Sequence, residues 1–240
     1  MAAAPTAASI LAELKKLGSA SYKKTMLVHG AREPVYGTKI SDMKVIQKRV
    51  GGINHELALE LWDSGCYDAM YLAGLMVDDS RMGKRDLQQW MNSAYCSGIA
   101  EYSVAWVAAG SPVGWEVATK WIDSKRELEA AAGWNALSGI VAMKPDSELD
   151  LDALRDLLGR VVETVHGSAN RVKYTMNTFI AAVGTCVKPL AKQAMAAAKA
   201  IGVVEVDMHG TGCKVRSAAE QIERVAARGT IFKKRKMVKC

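Results

Sequence analysis

Cysteine pairing is the first thing this sequence lacks. Cys66, Cys96, Cys186, Cys213 and Cys240 are odd in number, scattered, and nowhere spaced Cys-x-x-Cys. That pattern argues against a disulfide framework and a zinc site and leaves reduced, mostly buried thiols. An apolar amino-terminal core of the signal-peptide kind is missing too: MAAAPTAAS is merely small, and Glu13, Lys15 and Lys16 follow. A cytoplasmic location is therefore expected. Uncharged stretches such as 130–143 fall short of the roughly 18 residues that a spanning helix needs, so no membrane role is expected.

Charge excess is absent from most of the chain. Residues 209–240 hold nine Lys or Arg against Glu220 and Glu223, which accounts for the whole formal charge of +7; everything before His209 is formally neutral. Such asymmetry points to a polyanion contact made by one end of the molecule, nucleic acid first, with a merely solvated tail as the alternative. Lys214, Lys233, Lys234, Arg235 and Lys236 are the candidate phosphate contacts in this region.

What is present is helical punctuation. Residues 36–79 read as three helices joined by tight turns. Ser41 can cap the first. Ile53, Leu57, Ala58, Leu61 and Trp62 share one face of the second, opposite Glu56, Glu60 and Asp63, and Gly65 ends it. The third, 67–77, is apolar nearly all round and should lie between neighbours. Trp62, Trp90 and Trp121 each close a helix two or three residues before a Ser, about one Trp every thirty residues. That spacing suggests a degenerate HEAT-type helical repeat; an irregular helical bundle is the alternative.

Other segments follow the same logic. Ile10, Leu11, Leu14 and Leu17 line a short first helix. Ser124 and Glu127 read as a capping box for a helix running through Trp134 to Met143, and Leu151, Leu154, Leu158, Val161 and Val165 form the stripe of the next. From Ala169 to Val183 a helix buries Val172, Met176, Phe179, Ile180 and Val183. Its other face, Asn170, Arg171, Tyr174 and Asn177, is polar and aromatic without an acid; it suits phosphate and base contact, or equally a bridge between adjacent helices. Past Gly202, Val203, Val204 and Val206 followed by Gly210 and Gly212 suggest an extended segment, a glycine turn and a short hairpin. Ser217 and Glu220 box a last helix that Gly229 ends. The expected organisation is all-α: a helical solenoid over 1–202, then a loop, helix and basic tail over 203–240.

Between Asp86 and Glu116 the only charged residue is Glu101. On a helix it would share a face with Val104, Ala105 and Ala108, so it should be paired, carry a raised pKa, or look into a cleft. Bonding a neighbouring helix end is the plain structural reading. Asp207, His209 and Cys213 lie close in sequence, but one His and one Cys make a poor metal set, and no cofactor is expected.

The strings YGTK (36–39), ELALELWDSGCYDAMYLAGLMV (56–77), AAAGWNALS (130–138), NRVKYTMNTFIAAVGT (170–185), VDMHGTGCKV (206–215) and KKRKMVKC (233–240) together resemble the AlkD-like DNA alkylation repair proteins. The resemblance covers roughly residues 36–240. It implies a HEAT-like solenoid that binds duplex DNA, damaged or branched, with Trp134 among the DNA-contacting residues; a monomer is expected. It also implies an acid and tryptophans that stabilise the cation left when an alkylated base departs. The family's Asn-Trp-Asp-x-x-Asp string should fall at 96–101, where this chain reads CSGIAE. The Trp is absent and only Glu101 could serve as the second acid. The Arg expected one repeat later is replaced by Ala within ELEAAAGW. Three readings therefore stand: a DNA-binding repair-family protein, a helical protein-binding scaffold, and a glycosylase that uses Glu101.

Overall fold

In a computed structural model of the chain, residues 5–208 and 214–239 are described, and every regular element among them is helical. Packing divides the chain into two compact units, one ending at Val107 and including Lys239, the other Ala108–Val238.

The first unit opens with α1 (Ala7–Leu17), whose start is fixed by a reciprocal Thr6–Ser9 capping box and which buries Ile10 and Leu14. Then come α2 (Ala20–Val28), with no buried residue, and α3 (Ile40–Arg49). The cap of α3 is Lys39, not Ser41 as expected; the extended backbone at Lys39 starts the helix earlier and leaves Ser41 exposed in its first turn. Arg49 holds Glu13 in a bidentate pair, and the hydrogen bond lowers the Glu13 pKa.

In α4 (His55–Asp63), Leu57, Ala58, Leu61 and Trp62 are buried as their spacing requires. Ile53 departs from that expectation. It precedes the capping Asn54, which accepts from the Leu57 N–H, and is 66% exposed. Gly65, at φ +65°, supplies the left-handed turn after the helix.

Every residue of α5 (Tyr67–Met76) is buried. Its Asp68 carboxylate accepts the N–H groups of Tyr36 and Thr38, each at 2.6 Å. Between them Gly37 sits at φ +76°, where a Cβ would lie 2.4 Å from the Lys23 nitrogen; the Tyr-Gly-Thr string therefore admits no side chain at its centre. In the 3-10 turn Asp79–Arg81, Asp79 meets Lys239 at 2.6 Å, and Lys239 also donates to the Val77 carbonyl. The repeated Trp finds its reason at α6 (Lys84–Ser93). Trp62 stacks flat on Trp90, ring centroids 3.9 Å apart, and donates its indole N–H to Ser93 at 2.9 Å.

Past the π-helical turn Gly98–Val104 and α7 (Ala105–Gly110), the second unit holds α8 (Gly114–Trp121), α9 (Glu127–Met143), α10 (Leu151–Thr164), α11 (Asn170–Cys186), α12 (Ala191–Ile201) and α13 (Ala218–Ala227). Helices α9 and α11 form its core, with the Trp134 and Phe179 rings 5.2 Å apart; each such buried ring contributes on the order of 2–3 kcal/mol. Leu154, Leu158, Val161 and Val165 are buried as expected, whereas Leu151, the first residue of α10, is only half-buried. Gly184 of α11 lets α13 approach, since a Cβ there would fall 2.4 Å from the Ile222 side chain.

Two expectations change in this unit. Ser124 hydrogen bonds to Glu129, not Glu127; Arg126 caps α9 and also pairs with Glu129, while Glu127 accepts the Arg171 N–H at 2.6 Å. No strand occurs among the described residues after Gly202: Val203 is exposed and Val204 buried, and the glycine turn of the expected hairpin lies outside the described residues. The Ser217–Glu220 capping box and the stop at Gly229, φ +66°, are present.

Candidate nucleic-acid interface

The last turn of a helix leaves carbonyls without an intrahelical partner. At the end of α9 two of these are met by the carboxy-terminal segment: Lys234 Nζ donates to the Val141 carbonyl at 2.9 Å, and the Arg235 N–H donates to that of Ala142 at 2.8 Å. Phe232, at φ +64°, turns the chain here and donates its N–H to the Thr185 carbonyl at 2.7 Å. Asp146 completes the anchor, with one oxygen 2.8 Å from Lys234 Nζ and the other accepting the Lys188 N–H at 3.1 Å. An ammonium at a helix C-terminus also complements the helix dipole. Residues 232–235 are thus part of the fold, and the alternative of a merely solvated tail does not hold for them.

Docking the segment this way creates a cleft of about 530 Å³. Its walls are Thr185 and Cys186 at the end of α11, Val225 and Arg228 at the end of α13, then Thr230 and Lys233, Lys234, Arg235 and Lys236. Among the described residues, no acidic one lines it. Lys234 is already matched by Asp146, whereas Arg228, Lys233, Arg235 and Lys236 are exposed, and none has a carboxylate partner among the described residues. Two helix C-termini face the same cleft and oppose an anion by about 0.3–1 kcal/mol each. One cation about 4 Å away contributes roughly 4 kcal/mol at the effective dielectric of a protein surface, before salt screening, so the cations win. The basic run singles out Lys233, Lys234, Arg235 and Lys236 in sequence, whereas Arg228 enters there only as part of the charge excess. Its signal is its place just before Gly229, where α13 ends and the chain turns.

The polar face of α11 divides into two roles. Asn170 forms a reciprocal pair with the Asp207 backbone, at 2.8 and 2.7 Å, and Asn177, 1% exposed, donates to the Arg216 carbonyl at 2.9 Å. These two asparagines tie the chain on either side of 209–213 to α11, which is the bridging alternative. Arg171 and Tyr174 are half-buried, with the guanidinium 4.4 Å from the ring centroid and donating to Met208 Sδ at 3.8 Å. Lys214 is exposed at the edge of the undescribed stretch. Trp134 is fully buried against Phe179 and offers no surface to a ligand in this conformation. The guanidinium of Arg160 lies 5.7 Å from its ring centroid.

Glu101 belongs to the first unit and is 1% exposed. It lies in a π-helical turn, Gly98–Val104, and not in the α-helix that the expected shared face assumes. The wider turn changes the register, so spacing by 3.6 does not place its neighbours. The turn packs closely on α5, where a Cβ on Gly74 would come within 2.6 Å of Ser103. Tyr71 and Tyr102 meet Trp106 edge-on at 5.5 and 5.4 Å. Burial pushes the nearby Cys96 thiol up, and the Glu101 charge adds to the shift. Glu101 has interactions of its own within the fold.

A chain whose described elements are all helical and pack one on the next has the architecture of a HEAT-like helical repeat, and comparisons with known proteins agree. The model of the DNA alkylation repair enzyme family matches residues 10–222, and the chain belongs to that family. It is 32% identical over 221 residues to the uncharacterized protein Lin0241 of Listeria innocua, covering 90% of this chain and 95% of that protein. The uncharacterized protein Lmo0209 of Listeria monocytogenes is 31% identical over the same length, with the same shares covered. A solved structure superposes with a TM-score of 0.90 at 35% identity, over 98% of this chain and 100% of the other. It is described as a new family of proteins related to the HEAT-like repeat DNA glycosylases with affinity for branched DNA structures. The HEAT-like helical-repeat fold expected from the tryptophan spacing is therefore the fold of this chain. No helix among the described residues is long and apolar enough to cross a membrane.

Proposed function

We propose that this protein binds DNA as a cytoplasmic monomer and recognises branched or alkylated DNA through its second unit, by phosphate contacts in the basic cleft and on the Arg171–Tyr174 face. The observation that carries this reading is the convergence of Arg228, Lys233, Arg235 and Lys236 on one cleft that no acidic residue lines among the described residues. The affinity of the solved relative for branched DNA adds support. Support for a binding rather than an excising role comes from the 1% exposure of Glu101 and from CSGIAE standing where the family's Trp and first acid belong.

The test is fluorescence anisotropy with duplex and three-way-junction DNA at two salt concentrations. Affinity should fall steeply with salt, because each neutralised phosphate releases counterions, and the junction should bind more tightly than the duplex. Salt-insensitive or absent binding to both DNAs would return the protein to the scaffold reading.

A further inference from the structure

The cleft concentrates more positive charge than a single phosphodiester carries negative. Its volume of about 530 Å³ is that of a small-molecule site, within the usual range of roughly 300–1,000 Å³. A nucleic-acid strand offers one negative charge per internal diester, whereas Arg228, Lys233, Arg235 and Lys236 bring a formal +4 to one cleft without a carboxylate partner among the described residues. A phosphate monoester carries about −1.5 to −2 near neutral pH. Together with the adjoining diester it comes close to −3.

We propose that the cleft formed by the ends of α11 and α13 and by residues 230–236 is a phosphomonoester site that takes the phosphorylated end of a DNA strand. The side chains suit that ligand. Arg228 and Arg235 offer planar forks for two oxygens, and Lys233 and Lys236 are point charges on flexible stems. The Thr230 hydroxyl on the wall adds a neutral hydrogen-bonding group. Anchoring by Lys234 and by the Arg235 backbone holds the segment in place before a ligand arrives, which lowers the entropic cost of binding. The proposal rests on the DNA-binding reading and narrows it to strand ends, the feature that separates nicks and flaps from closed duplex.

The experiment uses the full chain and measures anisotropy on one single-stranded oligonucleotide in three forms, 5′-phosphorylated, 3′-phosphorylated and with both ends hydroxyl. Covalently closed circular duplex is measured separately by retardation in a gel. One phosphorylated form should bind about 5- to 10-fold more tightly than the hydroxyl form. That preference should vanish in the Lys233→Gln/Lys236→Gln double variant, whose helical circular dichroism should match the wild type. Competition by nucleoside monophosphate at concentrations near that of the oligonucleotide would support the monoester site and make free nucleotide its source; failure to compete would support the strand end. Equal binding of all three forms, with salt-sensitive binding to closed duplex retained, would overturn the proposal and leave the DNA-binding reading standing. Binding to no DNA at all would overturn both.

Discussion

Lys234 Nζ lies 2.8 Å from the Asp146 carboxylate and donates to the Val141 carbonyl at 2.9 Å, so one cation of the basic run is committed to closing the end of α9. Its neighbours Lys233, Arg235 and Lys236 are exposed. Residues of one charged run are thus held differently, one committed to the fold and the others exposed, and the two sets can be separated by substitution.

Lys234→Ala should destabilise the fold by roughly 1–3 kcal/mol, because a half-buried charge-assisted bond is lost and the Val141 carbonyl is left without that donor. Lys236→Ala should cost less than about 0.5 kcal/mol and mainly weaken DNA binding. Removing 233–240 as a block should therefore lower the melting temperature as well as the affinity, contrary to the expectation for a dispensable tail. Urea denaturation of the three variants decides the matter; equal midpoints would mean that the anchor is energetically idle.

Burial pushes the Asp79 carboxyl up to about 6 against the opposing pull of the Lys239 ammonium 2.6 Å away. The folded protein therefore holds this proton more tightly than the unfolded chain, whose value lies near 3.8. The associated stability is fully present below about 4 and is lost as pH rises through about 6, on the order of 2–3 kcal/mol in all. Asp79→Asn should flatten the decline in stability between those two values. Parallel pH profiles for wild type and variant would assign the slope to other groups.

Arg171→Ala should weaken binding to any DNA by about 3- to 10-fold and reduce the salt slope by about one. Its stability cost should stay at about 1–2 kcal/mol, roughly the worth of a partly exposed cation over a ring together with the guanidinium's contact with Met208 Sδ at 3.8 Å, since the backbone bond to Glu127 survives the change. A large fall in melting temperature with unchanged affinity would make Arg171 a structural bridge like Asn170 and Asn177.

Release of base from methylated DNA should be negligible in the wild type, and Glu101→Gln should leave DNA affinity unchanged. The carboxylate is 1% exposed in its π-helical turn, and the amide keeps its shape. Robust excision that disappears in the Gln variant would make Glu101 a working acid.

Much of the helical layout is legible in the chain because helix boundaries and buried faces obey local rules. Leu57, Ala58, Leu61 and Trp62 lie where a period of 3.6 puts them, α5 is buried on every side, and the Ser217–Glu220 box starts α13. The departures at Ser41, Ile53 and Ser124 are all at helix starts, where the cap is set by the incoming chain direction and by partners such as Glu129 that composition does not reveal. Glu101 stands out as a lone charge, but the π turn around it carries no pattern of period 3.6 to announce it.

Residue type and near-neighbour spacing were enough to lay out the helices of the chain and to locate the charge excess, because neither depends on contacts between distant segments. Which of those charges remain available is settled only by folding. Lys234 and Asp146 are 88 positions apart in the chain yet close an ion pair at the end of α9, Asn177 reaches the Arg216 carbonyl, and Arg228 joins Lys233 and Lys236 only because α13 seats on α11 at Gly184. Electrostatics and hydrogen bonding act through distance in space, and long-range packing sets that distance.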